Sequence, residues 1–260
     1  MREDDTVAET EWLEFRRQGA KMRAILGLTG APVGVRFLVD GARPKEARGL
    51  KGYRYCQALM LARRGEPVVL DEEGIACPAA AAAFGFRPLP DGLRSGQGLV
   101  GFGIVADEQV GRRMFEAMPR LEPGRIRSLH LFPLDRAVDV PDVVVVEDEV
   151  ERLMWISLAC LHATGGERVE SSTAVLQATC VDSTIIPYLE NRLNQGYGCY
   201  GCRDATDLRA NETALGFPAT LLAPITDHLE YLAQKAIPTS RSKKAWHGLQ
   251  TGSPHHAEAE

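Results

Sequence analysis

The residues best able to do chemistry in this chain are its six cysteines: Cys56, Cys77, Cys160, Cys180, Cys199 and Cys202. A thiolate is a soft metal ligand, a nucleophile and a redox group, so spacing and surroundings decide among these uses. Cys199 and Cys202 form one close pair, in "GYGCYGC", where the glycines let backbone come near the sulfurs. The others are dispersed. Cys56 and Cys77 are 21 positions apart, Cys180 lies 103 further on, and Cys199 another 19.

A structural zinc site usually presents two short-spaced ligand pairs, and only one occurs here, so zinc is the alternative metal rather than the first. A redox Cys-x-x-Cys favours a strand–helix junction, and residues 203–214 do not read as the helix this requires. Thiols with no shared role also fit the spacing. So does a cofactor-free thiol enzyme with Cys199 or Cys202 as its nucleophile. A thiolate cluster needs several soft ligands converging, with backbone N–H groups free to bond the sulfurs.

Cys160 lies mid-helix in "MWISLACLHA" and reads as a small core hydrophobe. Cys77 stands directly before Pro78, at the expected cap of a helix whose dipole favours a thiolate. Cys180 is expected at the end of a strand. Cys56 comes early in a helix beside Tyr53 and Tyr55, facing either core or site. Arg203 follows Cys202 and suits either an anionic cluster or substrate, or a salt bridge to Asp204, Asp207 or Glu212. The histidines are singletons or lie near the C-terminus. No Gly-x-Ser-x-Gly elbow, dinucleotide fingerprint or Walker lysine is present, so no catalytic residue is assigned.

These residues must be positioned by a mixed set of elements. Trp12, Phe15, Met22, Ile25 and Leu26 share a helical face over 6–28. Val33, Val35 and Phe37 alternate as in a strand, "YRYCQALMLARRG" has helical spacing, and "EPVVLD" is a short strand. "PDVVVVED" reads as a buried strand and "EVERLMWISLACLHATGG" as a helix capped by glycines. "STAVLQATCVD" reads as a strand and "TDHLEYLAQKAI" as a helix. The fold class predicted is α/β (mixed α+β): one domain over 1–237, followed by a polar, flexible tail over 238–260. A strand, a helix, a short strand and a cysteine recur, so halves at 30–100 and 140–237 read as related, with Cys77 and Cys180 at matching positions.

The 260 residues give ample length for a core, and 45% hydrophobic with 25% charged residues is ordinary globular composition. A net charge of −5 without long charge blocks argues against nucleic acid or an anionic membrane as partner. The charged start is unlike a secretory signal, and no apolar run approaches a membrane span. A cytoplasmic location with reduced thiols is predicted.

The ordered set "PVGVRF", "YCQALMLA", "CPAAAAAFG", "FPLDRAVDVPDVVVV", "GCYGCR" and "NETALGFPATLL" resembles the domain-of-unknown-function 169 family, also labelled ArCR, over about residues 20–235. That resemblance implies family-pattern cysteines at Cys56, Cys77, Cys180 and Cys199, with Arg203 as the loop arginine and Cys202 less regular. Four such ligands suit one 4Fe–4S cluster. The expected function is therefore an iron–sulfur protein with a redox role, transferring electrons or reducing a small molecule. The alternatives are a non-catalytic cluster-holding sensor or accessory subunit, and the thiol enzyme. The expected partner is a redox protein or a small-molecule substrate, with a homo-oligomer also compatible.

Overall fold

The computed structural model describes residues 3–41 and 44–252. In chain order the elements are α1 (Glu3–Leu26), β1 (Val33–Leu38), β2 (Arg48–Gly49), α2 (Tyr55–Arg63), β3 (Val68–Asp71), α3 (Pro78–Ala83), α4 (Asp91–Arg94), α5 (Gln97–Gly101), α6 (Glu108–Glu116), β4 (Ser128–Pro133), β5 (Val143–Glu149) and α7 (Val150–Ala163). A π-helix (Ala178–Ile185) follows, then α8 (Ile186–Glu190), β6 (Asn194–Gly196), α9 (Tyr200–Ala205), β7 (Glu212–Pro218), α10 (Leu222–Gln234), α11 (Ala236–Arg241) and α12 (Lys244–Gln250). None of the described helices is long and apolar enough to cross a membrane.

Seven strands form one sheet in the order β2-β3-β4-β1-β5-β7-β6. The β2–β3 pair is parallel, and the other neighbours are antiparallel. β5 shows why a near-continuous valine run makes a central strand. Val143 and Val145 enter one core while Val144 and Val146 enter the other, so both faces of the strand are covered. On the first face lie α2, α3, α6 and the π-helix, and on the second α1, α7 and α10.

The second face is regular. Met22 and Leu26 of α1, Ile156 and Ala159 of α7, and Ile225 and Leu229 of α10 are all at most 1% exposed. Each set recurs at three- or four-residue spacing, as an apolar helix stripe must.

The first face departs from the sequence reading at residues 178–185. The expected strand is a π-helix, because the sheet already ends in β7 and β6, and the segment lies across them instead. Gly216 of β7 makes this possible: a Cβ there would fall 1.8 Å from the Ser183 carbonyl oxygen. Inside the segment, the Thr184 hydroxyl donates to the Thr179 carbonyl at 2.8 Å, which ties the wide turn.

The two-halves reading also gives way. The second copy has no strand between α7 and Cys180, and α2 and α7 pack on opposite faces of the sheet. "NETALGFP" forms strand β7, and the stretch expected as a flexible tail from 238 carries most of α11 and all of α12, up to Gln250. Residues 253–260 lie outside the described ones.

Candidate functional site

Five of the six cysteines gather on the first face. Cys56, Cys199 and Cys202 form one buried cluster with Ala178, and Ala205 packs against it. Cys180 and Cys77 approach from the main core on the same side. Cys160 sits in the opposite core, on α7. The dispersed residues therefore meet, and the expected core cysteine stays apart.

Each sulfur is delivered by a different local device. Cys56 enters on the first turn of α2, whose backbone start is closed by the Gln57 side chain accepting from Arg54 N–H at 3.0 Å. Cys77 is the N-cap of α3, with Pro78 at the first helical position as its sequence suggests. Cys180 comes from the π-helix, and its thiol donates to the Gln177 carbonyl at 3.5 Å. Cys199 is the N-cap of α9, and its sulfur accepts from Cys202 N–H at 3.1 Å. α9 starts directly after Cys199 but ends at Ala205, so the stretch 203–214 is mostly loop and the start of β7 rather than helix. Gly198 takes φ +75° to turn the chain into α9.

α9 is clamped to α2. Arg54 donates to the Gly201 carbonyl at 3.0 Å, and Gln57 to the Ala205 carbonyl at 3.2 Å. Arg203 braces the loop from within: its guanidinium donates to the main-chain carbonyls of Tyr197, Arg209 and Glu212. Neither a sulfur nor the carboxylates of Asp204, Asp207 or Glu212 is among its hydrogen-bond partners in the described residues.

Cys202, expected as the spare thiol, is the centre of the cluster. Its sulfur lies 2.6 Å from Cys199 Sγ and 3.2 Å from Thr179 Oγ1, and it also hydrogen-bonds Cys56. A polar chain continues beneath it. Thr184 Oγ1 gives its proton to the Thr179 carbonyl, so the Tyr55 hydroxyl donates to Thr184 at 2.8 Å. These hydroxyls carry no sequence motif; only their place beside Cys56 and Cys180 marks them.

The environment keeps Cys180, Cys199 and Cys202 protonated. The bond from Cys199 pulls the Cys202 thiol down, but the contact with Cys56 and burial outweigh it and leave it at about 12. The hydrogen bond to Cys202, then burial, raises Cys199. Burial raises Cys180, and negative charge at Cys77, Cys202 or Cys199 would raise it further. As free groups these are neutral thiols at pH 7 and poor nucleophiles.

Nearby stands an acid that the sequence shows only as the end of a valine run. Glu147 on β5 is buried, its Oε2 has no hydrogen-bond partner among the described residues, and burial pushes its carboxyl up to about 7. By contrast Glu212, also buried, accepts from Arg63 at 2.7 Å and from Arg209 at 3.0 Å; those bonds outweigh its burial and hold it at about 2.

Among the described residues no group of three or more His, Cys, Asp or Glu stands ready to hold a metal ion. Cys199 and Cys202 are not spaced for a shared ion. Two thiolates on one tetrahedral zinc sit about 3.8 Å apart, whereas these sulfurs are at 2.6 Å. The donor set, by contrast, is what a soft metal or cluster takes: sulfur atoms, buried, with a backbone N–H already directed at one of them. The residues fit in chemistry, and the close pair must spread to ligate.

A family model described as DUF169, Uncharacterised ArCR, matches residues 21–228. The chain is 26% identical over 183 residues to Uncharacterized protein MJ0308 of Methanocaldococcus jannaschii, a match that covers 70% of this chain and 78% of that protein. No solved structure matches.

Proposed function

The chain belongs to the DUF169 (ArCR) family, and from that premise we propose that it is an iron–sulfur protein holding a 4Fe–4S cluster with a redox role. The observation that carries this reading is the meeting of Cys56, Cys77, Cys180, Cys199 and Cys202, from five separate places in the chain, on one buried flank of the sheet. Five gathered thiols with no shared role add little that alanines would not, whereas a metal centre displaces thiol protons and offsets the burial of thiolate charge. Cys77, Cys180 and Cys199 supply three ligands. Cys56 and Cys202 lean on each other, so one completes the set and the other remains as a hydrogen-bonding thiol. When bound, such a cluster carries one electron at a time. The chain's own part is to exclude water and to hold Thr179 Oγ1 near the sulfurs. Anaerobic purification with iron and sulfide assays and EPR tests the reading. Protein that stays colourless and iron-free after reconstitution under those conditions sinks it.

A second reading rests on the close Cys199–Cys202 approach at the start of α9. There the pair is a reversible dithiol: two thiols become one disulfide, releasing two protons and two electrons to an oxidant. It predicts two titratable thiols that vanish together on oxidation of iron-free protein, with Cys56 and Cys77 unchanged.

A further inference from the structure

The π-helical segment has two sides. Thr179 and Cys180 look toward the thiols, while Gln177, Val181 and Asp182 line a separate cavity of about 460 Å³. That volume lies within the roughly 300–1,000 Å³ of small-molecule sites. Its other wall is apolar, from Met114 of α6 and Met118 just beyond it.

Two features mark the cavity as more than a gap in packing. Asp182 is 2% exposed, yet its carboxylate accepts, among the described residues, only from the Thr173 hydroxyl at 2.5 Å. A buried carboxylate has room for about four such bonds. The backbone rimming the cavity is also held in a rare conformation. Val175 has φ +60° and Gln177 φ +57°, and a β-branched residue there costs about 1–3 kcal/mol. Strain of this kind is retained where the surroundings over-determine it, typically at ligand sites, and a π-helix adjoining the cavity has the same tendency. Arg113, exposed at the mouth, carries the opposite charge.

We propose that this cavity binds a small amphipathic amine, its head donating hydrogen bonds to Asp182 and its apolar body lying against Met114, Met118 and Val181. The charge order sets the direction of entry: Arg113 repels a cationic head at the mouth, and the buried acceptor draws it inward. A carboxylate-headed molecule would face Asp182 with like charge. Because the Gln177 carbonyl receives the Cys180 thiol, a bound molecule would sit one residue from the sulfur site. The proposal stands whether or not those thiols hold a metal.

Isothermal titration calorimetry of the full chain with n-hexylamine, hexanol and hexanoate tests it. Hexylamine is expected to bind at least tenfold more tightly than hexanoate. Asp182→Asn is expected to abolish the preference of hexylamine over hexanol. A second variant, Ala117→Trp, narrows the cavity at an exposed position of its lining and is expected to weaken all binding tenfold or more while leaving thermal unfolding unchanged. Equal affinity for hexylamine and hexanoate, or unchanged hexylamine affinity in Ala117→Trp, overturns the proposal.

Discussion

The two faces of the sheet contain equally buried cysteines in different surroundings. Cys160 is 3% exposed and Cys202 is 4% exposed. Around Cys160, long helices present regular stripes, and burial alone raises its thiol. Around Cys202, the helical layer is broken into α2, α3, the π-helix and α9, and each break delivers a side chain inward. Regular helices cover a sheet well but present polar groups along their outer side. Helix starts and a π-turn point sulfurs, hydroxyls and backbone N–H groups into one space. The difference teaches that the proposed function falls on the face whose packing is less ideal, and the strained φ angles at Val175 and Gln177 lie on that same side.

The largest expected contrast is in metal content. Cys180→Ser should lower iron in anaerobically reconstituted protein from about four atoms per chain to below one. Cys160→Ser, on the regular face, should leave it unchanged. Equal iron in the two variants breaks the comparison. Cys56→Ser and Cys202→Ser sharpen it: the ligand of the two should lose the cluster, and the other should shift only its EPR signal.

Next comes packing. Gly216→Ala should destabilise by about 3 kcal/mol in urea unfolding, because the added Cβ meets the Ser183 carbonyl and pushes the π-helix off β7. Ile156→Val, a deletion of one methylene in the regular layer, should cost about 1 kcal/mol. Gly216→Ala should also slow or lower cluster uptake, and Ile156→Val should not.

Much of this contrast was legible in the sequence, and the illegible part has a physical cause. The regular layer announces itself because Met22, Leu26, Ile156 and Leu229 need only the helical period to find the core. The valine run of β5 and the alternation of β1 are equally plain. The grouping of Cys56, Cys77, Cys180 and Cys199 comes from the resemblance, and all four lie on the first face. The π-helix was not legible: "STAVLQATCV" alternates as a strand does, and only the partner surface, with a Cβ missing at Gly216, turns it aside. α9 was hidden because its glycine and aspartate favour a loop locally, while Arg54, capping α2, and Gln57 within it hold it as a helix. The central role of Cys202 depends on that helix and was hidden with it.

The third contrast concerns pH and the buried acid. Glu147 has a folded value of about 7 against an ordinary carboxyl value near 4.5, so the folded state holds its proton more firmly than the unfolded one. Stability from this group is full below about pH 4.5 and is lost as pH rises toward 7. Glu147→Gln should therefore leave stability near wild type at pH 4 and add about 2 kcal/mol at pH 8. A parallel gain at both pH values would show that Glu147 is unfavourable for its shape and not for its charge.

The smallest effect lies on the regular face and should run the other way. His162 of α7 and His228 of α10 stack with ring centroids 3.7 Å apart and an interplanar angle of 3°. Burial first, and the neighbouring His162 second, lower the His228 value from 6.5. A lowered histidine favours its neutral form in the folded state. Its contribution is thus present above about pH 6.5 and is lost as pH falls through that value toward the folded one. The pair is partly exposed, so water screens it, and the loss between pH 8 and pH 5 should be only a few tenths of a kcal/mol. His228→Phe keeps a flat ring against His162 and removes the second charge, so it should flatten this acid-side slope. The Glu147 slope belongs to the opposite face, more than a helix layer away, and should persist unchanged in that variant, because distant sites add independently. If His228→Phe altered the pH 5 to 8 difference between the Glu147 and Glu147→Gln proteins, the two faces would be coupled through the sheet, and their division into a regular and an irregular side would fail.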